Sequence, residues 1–181
     1  MNDPTGQGVK GYARALYEIA QVEGDVARVS DELFRVARAV ESHTELRRTL
    51  TDIGVPFAGK EQLLQDLLGK QASPHTLNAL RFVISQGKAR ELVEIADELS
   101  RITAEESNKE LAEVRSAVPL DSEQRAALAR ALKEATGRNV EVKTIVDPSV
   151  IGGVLAKVGD IVIDGTVRGK LAQLKQHLGV D

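Results

Sequence analysis

The 181-residue chain sets 24 Lys and Arg against 27 Asp and Glu, for a formal net charge of −3, and contains no Cys. That balance excludes the basic surplus with which proteins attract a phosphate backbone, and the missing thiols exclude disulfides, thiolate nucleophiles and cysteine-based zinc sites. Apolar residues make up 42% but only 3% is aromatic and Trp is absent, so a core must be built from Ala, Leu, Val and Ile, which suits close helix packing.

The first part of the chain, to about Asn108, reads as short amphipathic helices. Val9 to Val22 places Tyr12, Leu16 and Ile19 on one face, and Gly24 follows as a stop. Asp25 stands where it can cap a second helix, in which Val26, Val29, Leu33, Val36 and Val40 recur at spacings of three and four. A third, short helix holds Leu46 and Leu50 and ends at Val55-Pro56, because Pro disfavours helix in the residue before it. A fourth carries Leu63, Leu64, Leu67 and Leu68 up to Gly69. Ser73-Pro74 is an N-cap followed by a proline whose missing N–H is harmless at the first helical position. The fifth helix runs from there through Leu77, Leu80, Phe82, Val83 and Ile84 to Gly87. The sixth carries Leu92, Ile95, Leu99 and Ile102.

The period then changes from 3.6 to two. Ala112, Val114, Ser116 and Val118 alternate with Glu113 and Arg115, as in a half-buried strand that Pro119 ends. Asp121 with Gln124 forms a capping-box pattern, and Leu128, Ala131, Leu132 and Ala135 form a helical face up to Gly137. Val140, Val142 and Val146 mark a second strand and Val154 to Val158 a third. Gly159-Asp160 makes a tight hairpin into Ile161 to Ile163. Thr166 can cap a last helix with Leu171, Leu174 and Leu178 inward. The expected fold class is α+β: a six-helix bundle over residues 1–108, then a small α/β domain with a short sheet over 109–181.

An enzyme needs positioned acids, bases, nucleophiles or metals, and no such constellation emerges. His43, His75 and His177 are isolated, with no paired metal-ligand spacing. Asp147, Asp160 and Asp164 each sit beside Pro or Gly, where Asp ordinarily serves turn hydrogen bonds rather than a cation. Gly165 to Lys170 imitates a phosphate loop, but three residues instead of four separate its glycines and Leu171 stands where Ser or Thr belongs. The expectation is therefore no catalytic residue, no metal and no cofactor. A nucleotide-binding regulatory protein using Gly165 to Lys170 is the alternative, and a nucleic-acid patch at Arg35, Arg38, Arg47 and Arg48 is a further one. No apolar run approaches the roughly 20 residues that cross a bilayer. The opening MNDPTGQGVKG lacks the apolar core of a signal peptide, so membrane association is expected only through another protein.

The segment VDPSVIGGVLAKVGDIVIDGTVRGKLAQL, from Val146 to Leu174, closely resembles the carboxy-terminal signature of the ATP synthase delta subunit family, whose mitochondrial relative is the oligomycin-sensitivity-conferring protein. Gly152, Gly153, Gly159, Asp160, Asp164, Gly165, Arg168 and Gly169 fall in the family's order and spacing, with Thr166 where Ser is commoner. Tyr12 to Tyr17 resembles the family's opening helix, and Gln86 to Ala89 its Asn-Gly-Arg-Leu turn with Lys88 and Ala89 as departures. The resemblance implies a non-catalytic peripheral-stalk subunit at the cytoplasmic face of the cell membrane, one copy per complex and a monomer when isolated. It also implies two partners: the amino-terminal helix of an alpha subunit, in a groove between the first and fifth helices, and the far end of the b-subunit stalk, on the carboxy-terminal domain.

Helical faces place the groove more closely. Tyr12, Ala15, Leu16 and Ile19 share one stripe of the first helix, and Asn78, Ala79, Phe82 and Gln86 share one on the fifth, at spacings of three and four. Leu77, Leu80 and Ile84 lie on a different side and are expected in the bundle's own core. The alternative for Phe82 is that it, too, is core.

Overall fold

The computed structural model describes residues 4–69 and 72–167. Six helices come first: α1 (Pro4–Val22), α2 (Val26–Ser42), α3 (Thr44–Thr51), α4 (Phe57–Leu68), α5 (Pro74–Ser85) and α6 (Leu92–Glu106). A short 3-10 turn at Ala89–Glu91 precedes α6. Then follow β1 (Glu110–Ser116), α7 (Ser122–Thr136), β2 (Val140–Val146), β3 (Val154–Val158) and β4 (Ile161–Asp164), so the class is α+β. The chain separates into two compact units between Thr103 and Ala104.

In the helical unit the stripe on α2 is buried, with Val29, Leu33, Val36 and Val40 meeting Leu80, Val83 and Ile84 of α5 and Leu92, Ile95 and Leu99 of α6 in one cluster. Each fully buried aliphatic side chain contributes about 1.5–3 kcal/mol relative to leaving it in water, enough to fix helices too short to hold alone. Ser73 caps α5 as its sequence implies, its Oγ accepting from the Thr76 N–H at 3.1 Å. Gly87 ends α5 with φ +69°, a conformation glycine adopts without steric cost. One expectation changes here. Asp25 precedes α2 but makes no side-chain capping bond, because backbone angles of −124° and 23° turn its carboxylate away from the free N–H groups. Its Oδ2 lies 3.1 Å from Nδ1 of His75 instead. Gly69 closes α4 as its sequence implies, in a right-handed conformation (φ −58°).

In the second unit the sheet order is β2-β1-β3-β4. β1 pairs parallel with β2 through the α7 crossover and antiparallel with β3, and β3 pairs antiparallel with β4 across Gly159-Asp160. Ala112, Val114 and Ser116 are buried on one face, as their alternation requires. Val118 leaves that pattern at 61% exposed, because β1 stops at Ser116. On α7 the capping box forms, with Gln124 N–H donating to Asp121 and the Gln124 side chain accepting from the Asp121 N–H. Its inward face, however, is Leu132 with Leu128 and Ala129; Ala131 and Ala135 are exposed, rotated away from the sheet. Lys143 on β2 is buried, its Nζ 3.4 Å from Glu141 Oε1. The helix expected over Leu171, Leu174 and Leu178 lies outside the described residues.

Candidate functional site

The first and fifth helices bound a surface cleft of about 150 Å³. Its α1 wall presents Leu16, Ile19 and Ala20, its α5 wall His75, Asn78, Ala79 and Phe82, and Val29 of α2 reaches its floor. Tyr12 stands against Phe82 with ring centroids 5.8 Å apart and planes tilted by 52°, a favourable offset aromatic contact at one end. Glu23 and His75 stand at the other, with Oε2 and Nε2 3.6 Å apart. Ile19 is 56% exposed, whereas Leu16 and Ala79 are buried and Phe82 is half-buried, so the cleft has a packed base and an open apolar lip.

Five of the eight residues singled out on these helices therefore meet in one cleft: Leu16, Ile19, Asn78, Ala79 and Phe82. Tyr12 joins them through its ring contact with Phe82. Ala15 is half-buried outside the lining, and Gln86 is exposed at the end of α5. Leu77, Leu80 and Ile84 are buried on the other side, as their faces require. Sequence reasoning passed over Ala20, Val29, Glu23 and His75. Ala20 follows Leu16 by one turn and was legible; His75 and Glu23 were not, because they meet only when α1 and α5 align.

A buried carboxylate positions the α5 wall. Glu32 sits on the core side of α2 and accepts from the Ser73 N–H (2.7 Å), the Thr76 hydroxyl (2.7 Å) and Arg28 Nε (2.8 Å). Burial by itself raises a carboxyl pKa; the hydrogen bond from Arg28 and those from Ser73 and Thr76 outweigh it and hold Glu32 below the ordinary range. The ionised Glu32 thereby satisfies N–H and O–H donors of the first turn of α5 and fixes where that helix begins. The only sequence signal was an acidic residue three positions after Val29, on an otherwise apolar face.

The described carboxy-terminal signature residues lie at turns. At Gly153, φ is +85° and an added Cβ would lie 2.3 Å from the Gly165 carbonyl oxygen, so the two segments approach closer than any side chain permits. Gly152 precedes it, and Gly159 with Asp160 makes the β3–β4 hairpin. Asp164 Oδ1 accepts from the Thr166 N–H (2.9 Å) and hydroxyl (2.6 Å), bonds that lower the Asp164 pKa. Arg168 and Gly169 lie outside the described residues. Among the described residues of the loop that imitates a phosphate site, the N–H groups are engaged: Gly165 donates to Val154, Thr166 to Asp164 and Val167 to Gly152. Asp147, Asp160 and Asp164 belong to separate turns, and among the described residues no group of three His, Asp or Glu is placed to hold a metal ion. Two of the four cations of the candidate basic patch are paired, Arg35 facing Asp31 and Arg38 bonded to Glu41 and Asp97.

The fold is thus a helical bundle that carries an open apolar groove between α1 and α5, followed by a small four-stranded sheet. The sequence model of the ATP synthase delta (OSCP) subunit family matches residues 9–178, and the chain belongs to that family. It is 36% identical over 173 residues to ATP synthase subunit delta of Desulforamulus reducens, covering 96% of each chain. It is 38% identical over 159 residues to that of Streptomyces griseus, covering 88% of this chain but only 59% of the longer relative. A chain in the structure of the Toxoplasma gondii mitochondrial ATP synthase hexamer superposes with a TM-score of 0.55 at 20% identity, covering 96% of this chain and 98% of that one, a likeness of fold. No helix among the described residues is long and apolar enough to cross a membrane.

Proposed function

We infer that this chain is the non-catalytic stator subunit of a rotary, proton-translocating ATP synthase, linking the catalytic head to the peripheral stalk and resisting rotor torque. The family match over nearly the whole chain carries this reading. The α1–α5 groove takes the amino-terminal helix of an alpha subunit, and the unit built on β1–β4 takes the far end of the b-subunit stalk, at the cytoplasmic face of the cell membrane. The open lip at Ile19 and Phe82 supports the first contact, because helix-in-groove recognition draws on a few apolar anchors at spacings of three and four. One copy serves each complex, and the isolated chain is a monomer.

Phe82→Asp tests the groove. Its ring is half-buried against Tyr12, so the substitution places a charge where an apolar anchor should dock, yet leaves the inner row of Leu80, Val83 and Ile84 intact. Binding of a synthetic alpha-subunit amino-terminal peptide, followed by titration calorimetry, should weaken at least ~30-fold, on the order of 2 kcal/mol. The variant should still melt cooperatively near the parent temperature. Normal binding by a folded variant would place the groove on the wrong face.

A further inference from the structure

The cleft is apolar along most of its length and polar at one end. There the His75 ring lies between two carboxylates, with Nδ1 3.1 Å from Asp25 Oδ2 and Nε2 3.6 Å from Glu23 Oε2. In the neutral tautomer that donates from Nδ1 to Asp25, Nε2 is an acceptor. Two acceptors, Nε2 and the Glu23 carboxylate, then stand side by side at the mouth of the cleft. Neither bonds the other in that state, and Arg28, the first cation of α2, donates to Glu32. At the opposite end the corresponding positions are the Tyr12 and Phe82 rings, which bring no charge.

We propose that this end of the groove selects a cationic residue, so that the docked partner is an amphipathic helix whose apolar face terminates in a Lys or Arg beside Glu23 and His75. The proposal rests on the reading that the groove binds a helix, and it adds which helix. The ammonium or guanidinium donates to both acceptors, and the half-exposed Glu23 and His75 side chains are reached without disturbing the core. An acidic residue at the same place would face Glu23 and Asp25 at close range, which makes the rim repel wrong partners as well as attract the right one.

A charge scan coupled to a rim mutation tests this on the full chain. The probe is a synthetic peptide of the alpha-subunit amino-terminal segment, with each Lys and Arg changed singly to Gln, titrated against the native protein and Glu23→Gln. One peptide substitution should weaken binding to the native protein about fivefold, and that loss should vanish in Glu23→Gln, the signature of a direct pair. Glu23→Lys should prefer a peptide carrying Glu at that same position. A peptide that binds natively and loses affinity on Phe82→Asp, while none of its cations couples to Glu23, would overturn the charge selection and leave the groove standing. Absence of any binding to the native chain removes both.

Discussion

The helical unit holds its shape by interlocked side chains and the sheet unit by backbone geometry. In the first, buried residues from α1 through α6 form one continuous, mostly aliphatic cluster. In the second, the described core is the small set of Ala112, Val114, Leu132, Val140, Ala156 and Val158, and close approaches at glycine define the turns that bring the strands together. A core of interlocked methyl groups tolerates small losses at many positions, whereas a backbone crossing tolerates no added atom at one. The same contrast separates the proposed contacts: a groove formed between packed helices, and a sheet whose signature residues shape loops.

Gly153→Ala should expose this difference most strongly. The new Cβ meets the Gly165 carbonyl oxygen at 2.3 Å in a backbone conformation that L side chains rarely adopt, so the sheet unit should lose at least about 3 kcal/mol. Gly87→Ala, with a similar φ but open space around it, should cost the helical unit about 1 kcal/mol. The two units can be read separately because both Tyr and all three Phe lie in the helical unit. Tyrosine fluorescence should therefore follow an unchanged transition in Gly153→Ala, while amide exchange in β1 to β4 accelerates. A fluorescence transition that falls with the exchange protection would show that the units unfold as one and end the comparison.

Legibility in the sequence divides along the same line. The helices were readable because their stripes report a single local period, and Val29, Leu33, Val36 and Val40 are buried as that period requires. The strands were readable by alternation and the β3–β4 hairpin by Gly159-Asp160, but the partners of β1 were not, since it meets β2 in parallel and β3 in antiparallel register through contacts distant in sequence. On α7, Ala131 and Ala135 misled because alanine is too small to mark which face is buried. In the groove, the apolar lip was legible from helical spacing, whereas Glu23 and His75 meet only through the tertiary alignment of α1 with α5. Glu32 was hidden for a different reason: its role comes from the unpaired donors at the start of α5.

That carboxylate sharpens the comparison at intermediate size. Glu32→Gln removes the charge that holds Arg28 and weakens the bonds to Ser73 and Thr76, which should cost the helical unit about 1–3 kcal/mol near pH 7. Because the folded-state pKa is depressed, its contribution is fully present above the unfolded value near 4.3 and is lost as pH falls through the lower folded value. The stability gap between native protein and Glu32→Gln, read by tyrosine fluorescence, should therefore be constant down to about pH 5 and narrow below it. A gap that widens on acidification would mean that burial, which raises the pKa, outweighs the three hydrogen bonds.

The smallest effect separates two aspartates that look alike in sequence, each standing just before a helix. Asp121 arrives in an extended conformation (ψ 176°) that aims its carboxylate at the Gln124 N–H, 2.8 Å away, and the Gln124 side chain returns the bond. Asp25 arrives at ψ 23°, makes no such bond and turns toward His75. Asp121→Ala should thus cost the sheet unit about 1 kcal/mol, the usual worth of a lost cap, and amide exchange at the start of α7 should rise accordingly. Asp25→Ala should cost the helical unit only about 0.3 kcal/mol, because a partly exposed side-chain contact with His75 is what it removes. Its larger consequence should appear at the groove, where freeing Nδ1 lets the His75 ring reorient and lowers the preference for a cationic peptide. Equal losses of stability in the two variants would mean that Asp25 caps α2 in solution, and that the difference in ψ between the two aspartates does not govern the bond.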